Sequence, residues 1–269
     1  LMIHIPHSRP VFDQSFVAAA TQVIEAGFLA QGEATSVLEK TIQTQLPERH
    51  VLAVDSGTSA LMLAIRSTTQ NKPHARVGIP AYACASLLFA VKAAGATPVF
   101  IDCDAHLCLD QEQTQNLAKS LDVLVIVHPF GRVDPLVQEK ISCPVIEDIA
   151  QSVGAQLANQ PVGTFTDISI GSLYATKPWG GAYGGFIACQ DAQTKQAIQA
   201  MTNPDFAPIT SAYVGHHQLS NIHATLAHQR IEGAANERKQ RQSWADKYDT
   251  LIESSRATRM NQQPGNAFR

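Results

Sequence analysis

Short, nearly continuous runs of aliphatic and β-branched residues alternate along the chain with longer stretches whose apolar positions recur at helical spacing. The apolar runs are VLAV (51–54), RVGI (76–79), TPVFI (97–101), DVLVIV (122–127), PVIE (144–147), DISIGSLY (167–174) and GFIAC (185–189). Helical patterning spans about Thr58 to Ser67 and Ala83 to Ala94, and a polar helical segment starts at Asp110. Residues 13–47 predict two helices ahead of the first run, and residues 216–253 are polar and helix-rich. Strands that are apolar on both faces and separated by helices predict a mostly parallel sheet covered by helices on both sides, an α/β fold. Ligands of such sheets bind at the carboxyl ends of the strands, so candidate chemistry is sought just after each run.

Composition narrows the class. The chain has 269 residues, 45% hydrophobic and 16% charged, with a formal net charge of −3. This is a globular balance, without the basic excess expected of a nucleic-acid or membrane-surface binder. No apolar run approaches the roughly 20 residues of a membrane helix. The start, LMIHIPHSRP, lacks a secretory pattern, so a cytoplasmic location is expected. Five cysteines with no C-x-x-C pair predict free thiols in a reducing compartment. Of ten histidines, His216, His217, His223 and His228 lie closest to a metal pattern, but their spacing does not place two on one helix face beside a carboxylate; no metal site is expected. The last stretch, SRATRMNQQPGNAFR, has little core-forming content.

Three segments after strands carry candidate chemistry. In DSGTSALMLAI (55–65), Ser56, Gly57 and Thr58 sit where a strand turns into a helix. Free N–H groups and the positive end of the helix dipole suit a phosphate there; an ordinary N-capped turn is the alternative. In VIEDIAQSVGA (145–155), Glu147 and Asp148 bring carboxylates to the ligand edge, where one could pair with a protonated ring nitrogen or simply cap a helix. In GTFTDISIGSLYATKPWGGAYGGFIA (163–188), Lys177 follows a strand and precedes a glycine-rich stretch, a placement suited to imine chemistry and equally compatible with a solvated surface lysine. His128, ending DVLVIV, either reaches substrate or bonds to local loop backbone.

Taken in order, these segments resemble the nucleotide-sugar aminotransferases of the DegT/StrS type, pyridoxal 5'-phosphate (PLP) enzymes of fold type I. The resemblance runs from about Ile5 to Ile231 and includes SFVAAATQVIEAGFLAQGEATSVLEK, SGTSAL, IPAYACASLLFAVKAAGATPVFIDCD, VHPFGRVDPL, VIEDIAQSVGA and GTFTDISIGSLYATKPWG. It implies that Lys177 is the Schiff-base lysine and later the proton carrier, and that Asp148 holds the pyridine nitrogen protonated. Gln151 matches the residue near the cofactor's 3′-oxygen, while Gly57, Thr58 and Ser172 match the phosphate contacts. It further implies a homodimer and transfer of an amino group, from glutamate, to a keto-sugar nucleotide.

The chain departs from the family pattern at several positions. Cys84 stands where an aromatic residue often stacks on the cofactor ring, with Tyr82 two residues away. His216 and Gln218 replace an asparagine and an arginine that act across the subunit boundary, and Tyr183 replaces an acidic residue. Relatives continue into a small α+β domain, of which this chain is expected to hold only the helical start: residues 1–230 form the cofactor-binding large domain and 231–269 the beginning of the second. Two alternatives follow. One is a catalytically silent member acting as a binding or assembly subunit. The other is a different PLP reaction on sugars, such as C3 dehydration, whose enzymes usually carry histidine in place of the lysine.

Overall fold

In a computed structural model, residues 8–30 and 32–253 are described. The helices are α1 (Gln14–Ala26), α2 (Glu33–Gln45), α3 (Gly57–Thr68), α4 (Ser86–Ala93), α5 (Gln111–Ala118), α6 (Ala192–Ala200) and α7 (Asn221–Glu253). The strands are β1 (His50–Val54), β2 (Arg76–Pro80), β3 (Thr97–Ile101), β4 (Val123–Val127), β5 (Val145–Asp148), β6 (Gln156–Leu157), β7 (Gln160–Pro161), β8 (Ile168–Ser172) and β9 (Gly185–Cys189). Each of the seven apolar runs forms a strand of one sheet, ordered β1-β9-β8-β5-β4-β2-β3. Neighbours from β8 through β3 pair in parallel, and β9 runs antiparallel to both β8 and β1.

Side chains alternate across each strand, so every run feeds two cores. Val123, Val125 and Val127 of β4 pack with α3 and α4 residues such as Leu63, Ile65 and Val91. Leu124 and Ile126 face the other way, toward Leu38, Ile42 and Leu46 at α2 and Ala224, Ala227 and Ile231 of α7. A strand buried on both sides has no polar position to spare, which is why these runs read as continuous. Each fully buried aliphatic side chain contributes about 1.5–3 kcal/mol.

Three features differ from the sequence reading. The helix expected from Ala83 starts at Ser86, because Ala81 continues the strand edge by donating to Ile101 O (2.7 Å) and the chain then loops. Helix α6 was not anticipated: AQTKQAIQA buries only Ile198, so its periodicity is faint, although Asp191 caps it by accepting from Thr194 N. The β6–β7 hairpin turns through Ala158 and Asn159, both with positive φ (51° and 65°), without the glycine that usually announces such a turn.

Helix α7 is continuous across residues 230 and 231. Its buried positions end at Ile231, and residues beyond are exposed or half-buried up to Ile252. The tail SRATRMNQQPGNAFR and the residues before Ser8, including Ile5 at the start of the resemblance, lie outside the described residues. No helix among the described residues is long and apolar enough to cross a membrane.

Candidate active site

The carboxyl ends of β1, β5 and β8 open onto a cavity of about 260 Å³. Gly57, Thr58, Asp148, Gln151, Ser172 and Lys177 all line it, together with Cys84 and Tyr183. These residues come from four segments that are remote in sequence and meet only because the parallel sheet ends its strands at one edge.

One wall is the first turn of α3. Ser56 is extended (φ −158°, ψ 159°), and its Oγ accepts from Ser59 N at 3.0 Å, an N-cap. That bond satisfies one early N–H; those of Gly57 and Thr58 have no helical acceptor. Opposite, Ser172 Oγ accepts from Tyr174 N (3.3 Å) and keeps its own hydroxyl hydrogen to donate. The two sides approach closely. A Cβ on Gly57 would stand 3.0 Å from Ser172 Cβ, and one on Gly185 would stand 2.5 Å from Gly57 N and from the Ser56 carbonyl.

Asp148 ends β5 and is buried, with 6% of its surface exposed. Its Oδ1 accepts from Ala150 N at 2.9 Å. Burial pushes the carboxyl above its ordinary value, opposed by the Ala150 N–H, by the charge of Lys177 and by His128. Gln151 is oriented by accepting from Phe130 N through Oε1 at 3.2 Å. Lys177 lies in the connection from β8 to β9. Its N–H donates to Tyr174 O (2.8 Å), and its carbonyl accepts from Gly180 N (2.8 Å). Gly180 permits that fold-back, since a Cβ there would sit 2.0 Å from Tyr174 O.

His128 is not in the cavity lining. It is fully buried, and its Nδ1 accepts from Asp134 N at 3.0 Å. The remaining proton therefore sits on Nε2, which donates to Glu147 Oε1 at 3.0 Å. Glu147 also accepts from Gly163 N and Phe165 N. This pair ties the loops after β4 and β7 together behind Asp148; of the two readings of His128, the structure supports local bonding. His216 is exposed, and Gln218 bridges to Val54 at the end of β1; neither lines the cavity.

Sequence reasoning missed Tyr174, which also lines the cavity. Its ring meets Tyr183 edge-on, 5.4 Å between centroids, and both rings are half-exposed at the mouth. They stand nine positions apart, so only the folded β8–β9 connection brings them together. Cys84 is exposed; hydrogen bonds to Ser86 draw its thiol below the ordinary value, with the Lys177 charge acting the same way.

Residues 10–267 match the model of the DegT/DnrJ/EryC1/StrS aminotransferase family. The chain belongs to that family. Among curated members of similar sequence, the UDP-4-amino-4-deoxy-L-arabinose–oxoglutarate aminotransferase of Shewanella sediminis is 28% identical over 204 residues, covering 73% of this chain and 52% of that protein. The UDP-N-acetyl-3-dehydro-alpha-D-glucosamine 3-aminotransferase of Acidithiobacillus ferrooxidans is 29% identical over 210 residues, covering 73% and 55%. This member of the DegT/DnrJ/EryC1/StrS family thus spans about half the length of the curated relatives it matches. In fold it is similar to the aminotransferase TlmJ of Streptoalloteichus hindustanus, with a TM-score of 0.86, 22% identity, and coverage of 98% of this chain and 77% of that one.

Proposed function

We propose that this chain carries the cofactor-binding part of a PLP-dependent aminotransferase that moves an amino group from glutamate to a keto-sugar attached to a nucleotide. The observation that carries the reading is the convergence of Gly57, Thr58, Asp148, Gln151, Ser172 and Lys177 on one cavity. Family membership supports it, because aminotransferases of this family depend on PLP.

The donor set suits that cofactor. Gly57 and Thr58 N–H groups and the Ser172 hydroxyl would hold the phosphate, in a space that a side chain at residue 57 would fill. Asp148 would face the ring nitrogen, Gln151 the 3′-oxygen, and Lys177 would form the covalent link. When bound, PLP supplies an electron sink for the negative charge that develops at the donor's α-carbon. The chain's own work is acid–base and positional. Lys177, once freed by the incoming amino donor, would carry the proton from the donor's α-carbon to the cofactor's C4′ carbon. Asp148, whose ionisation burial opposes, would be favoured as a carboxylate beside a cation. Tyr174 and Tyr183 narrow the mouth and limit water.

The reading includes a cytoplasmic homodimer and a second unit starting near residue 231. The loss of burial along α7 after Ile231 supports that division. One further reading has support of its own: a silent binding subunit, favoured by Cys84 at the ring-stacking position. A single measurement separates the two. PLP-loaded protein given glutamate without an acceptor should release one 2-oxoglutarate per chain. Retained PLP with no 2-oxoglutarate would favour the silent subunit, and failure to retain PLP would overturn both.

A further inference from the structure

We infer that Arg230 is a positioning residue for Lys177. One buried guanidinium ties the Lys177 turn and the N-terminal segment to α7, so that docking of that segment and attachment of PLP at Lys177 favour each other; this rests on the PLP reading above. Lys177 belongs to the connection between β8 and β9, which folds back on itself. Ala175 N donates to Ala182 O (2.9 Å) and Gly181 N to Leu173 O (3.1 Å). From outside, the turn is fixed by α7. A Cβ on Gly181 would stand 2.5 Å from Ala227 N, so the turn lies directly on the helix backbone. Arg230 follows three residues after Ala227 on the same helix face and completes the contact: its Nε donates to the Gly180 carbonyl at 3.2 Å, a buried bond.

The same guanidinium holds the N-terminal segment. Arg230 is 8% exposed, and its Nη2 donates to Val11 O at 2.7 Å. Its Cζ lies 4.8 Å from the centroid of the Phe16 ring and 5.1 Å from that of Phe12, and the two rings meet edge-on at 5.0 Å. Nη1 donates to Glu237, two turns further along α7, and that carboxylate offsets the buried charge. Phe16 and Val23 are the buried residues of α1, so one of the two apolar anchors of that helix rests on Arg230.

The junction needs a guanidinium. Its three nitrogens diverge in one plane, and here each reaches a different segment: Gly180 in the Lys177 turn, Val11 in the N-terminal segment and Glu237 on α7. A lysine at 230 would present a single nitrogen and could not span all three. An acceptor left unpaired inside the protein is costly, so loss of the guanidinium would displace the Gly180 carbonyl toward other donors and move the Lys177 turn with it. Val11, Phe12, Phe16 and Arg230 do not line the cofactor cavity. Their influence on PLP therefore runs through the position of Lys177. Coupling of this kind is reciprocal: the factor by which the docked segment favours PLP is the factor by which PLP favours docking.

The test uses the full chain. In the wild type, saturating PLP should slow hydrogen–deuterium exchange across α1 by about tenfold. Arg230→Met keeps an apolar contact for the two rings and loses the hydrogen bonds. It should weaken PLP binding, followed by absorbance, by about tenfold and abolish the response of α1. Phe16→Ala, remote from the cavity, should weaken PLP binding by a smaller factor, and Arg230→Lys should fall between Arg230→Met and wild type. Ile198→Ala, in the core beneath α6, controls for lost stability: it should unfold at lower urea yet bind PLP and protect α1 as the wild type does. Should Arg230→Met not fold, Phe16→Ala and Arg230→Lys carry the same test. The positioning role fails, and the PLP reading stands, if PLP attaches to Lys177 in the wild type without slowing exchange across α1. It fails equally if Arg230→Met binds PLP with wild-type affinity, or if Ile198→Ala weakens PLP binding as much as Arg230→Met does. If borohydride traps no PLP on Lys177 in the wild type, both fail.

Discussion

Asp148 and Cys84 show how the cavity sets the chemistry of single side chains. Asp148 carries a raised pKa because burial opposes its charge. A carboxyl whose folded value is raised costs stability as pH climbs from its ordinary value of 3.8 through the folded value, and the cost is complete above that. Asp148→Asn removes the cost and keeps an oxygen for the Ala150 N–H. In the cofactor-free protein, the variant should therefore match or exceed wild-type stability at neutral pH, with its relative advantage growing from acid to neutral pH in urea unfolding. It should also lose PLP on dialysis. A variant that is less stable at neutral pH would show that Asp148 is held by interactions stronger than the desolvation it suffers. Cys84 differs from the other thiols: it is exposed and its pKa is lowered, whereas burial raises Cys103 and Cys143 and pushes Cys108 and Cys189 up to about 12. Iodoacetamide at neutral pH should label Cys84 first, and PLP should slow that labelling; peptide mapping reads the order.

At the scale of elements, the site depends on backbone contact between the start of β9 and the first turn of α3. A methyl group on Gly185 would meet Gly57 N and the Ser56 carbonyl at 2.5 Å, and these are backbone atoms that cannot rotate away. Gly185→Ala should cost about 1–3 kcal/mol in denaturant unfolding, and should weaken PLP binding by moving the N–H groups of Gly57 and Thr58. Unchanged cofactor binding in a destabilised variant would place the phosphate elsewhere. The elements were also where the sequence was most legible. Seven apolar runs became seven strands, because a strand buried on both faces leaves a continuous apolar signature. Helix α6 was not legible, since a helix that buries a single isoleucine has little periodicity. The direction of β9 was not legible either, as its apolar run looks the same parallel or antiparallel.

At the scale of the whole molecule, the sheet brings to one edge residues that are up to 120 positions apart in sequence, from Gly57 to Lys177. Gly57, Thr58, Asp148 and Lys177 were readable from their places after strands, each beside a bland alternative; Gln151, Ser172 and the meeting of all six on one cofactor came only from the family resemblance, because strand order is not written in the local pattern. Arrangements made by chain reversal lay beyond the sequence pattern altogether. The Tyr174–Tyr183 pair and the clamp of Arg230 on Val11 O and Gly180 O are of this kind. His128 illustrates the reverse: its position at a strand end suggested a ligand contact, yet the fold closes over it and gives it Glu147 and Asp134 N as partners. The account as a whole stands on one covalent link. Full-length protein incubated with PLP, reduced with borohydride and mapped by peptide mass should carry one pyridoxyl group, on Lys177, and Lys177→Ala should carry none there. A pyridoxyl group spread over surface lysines, or absent from Lys177, would contradict it.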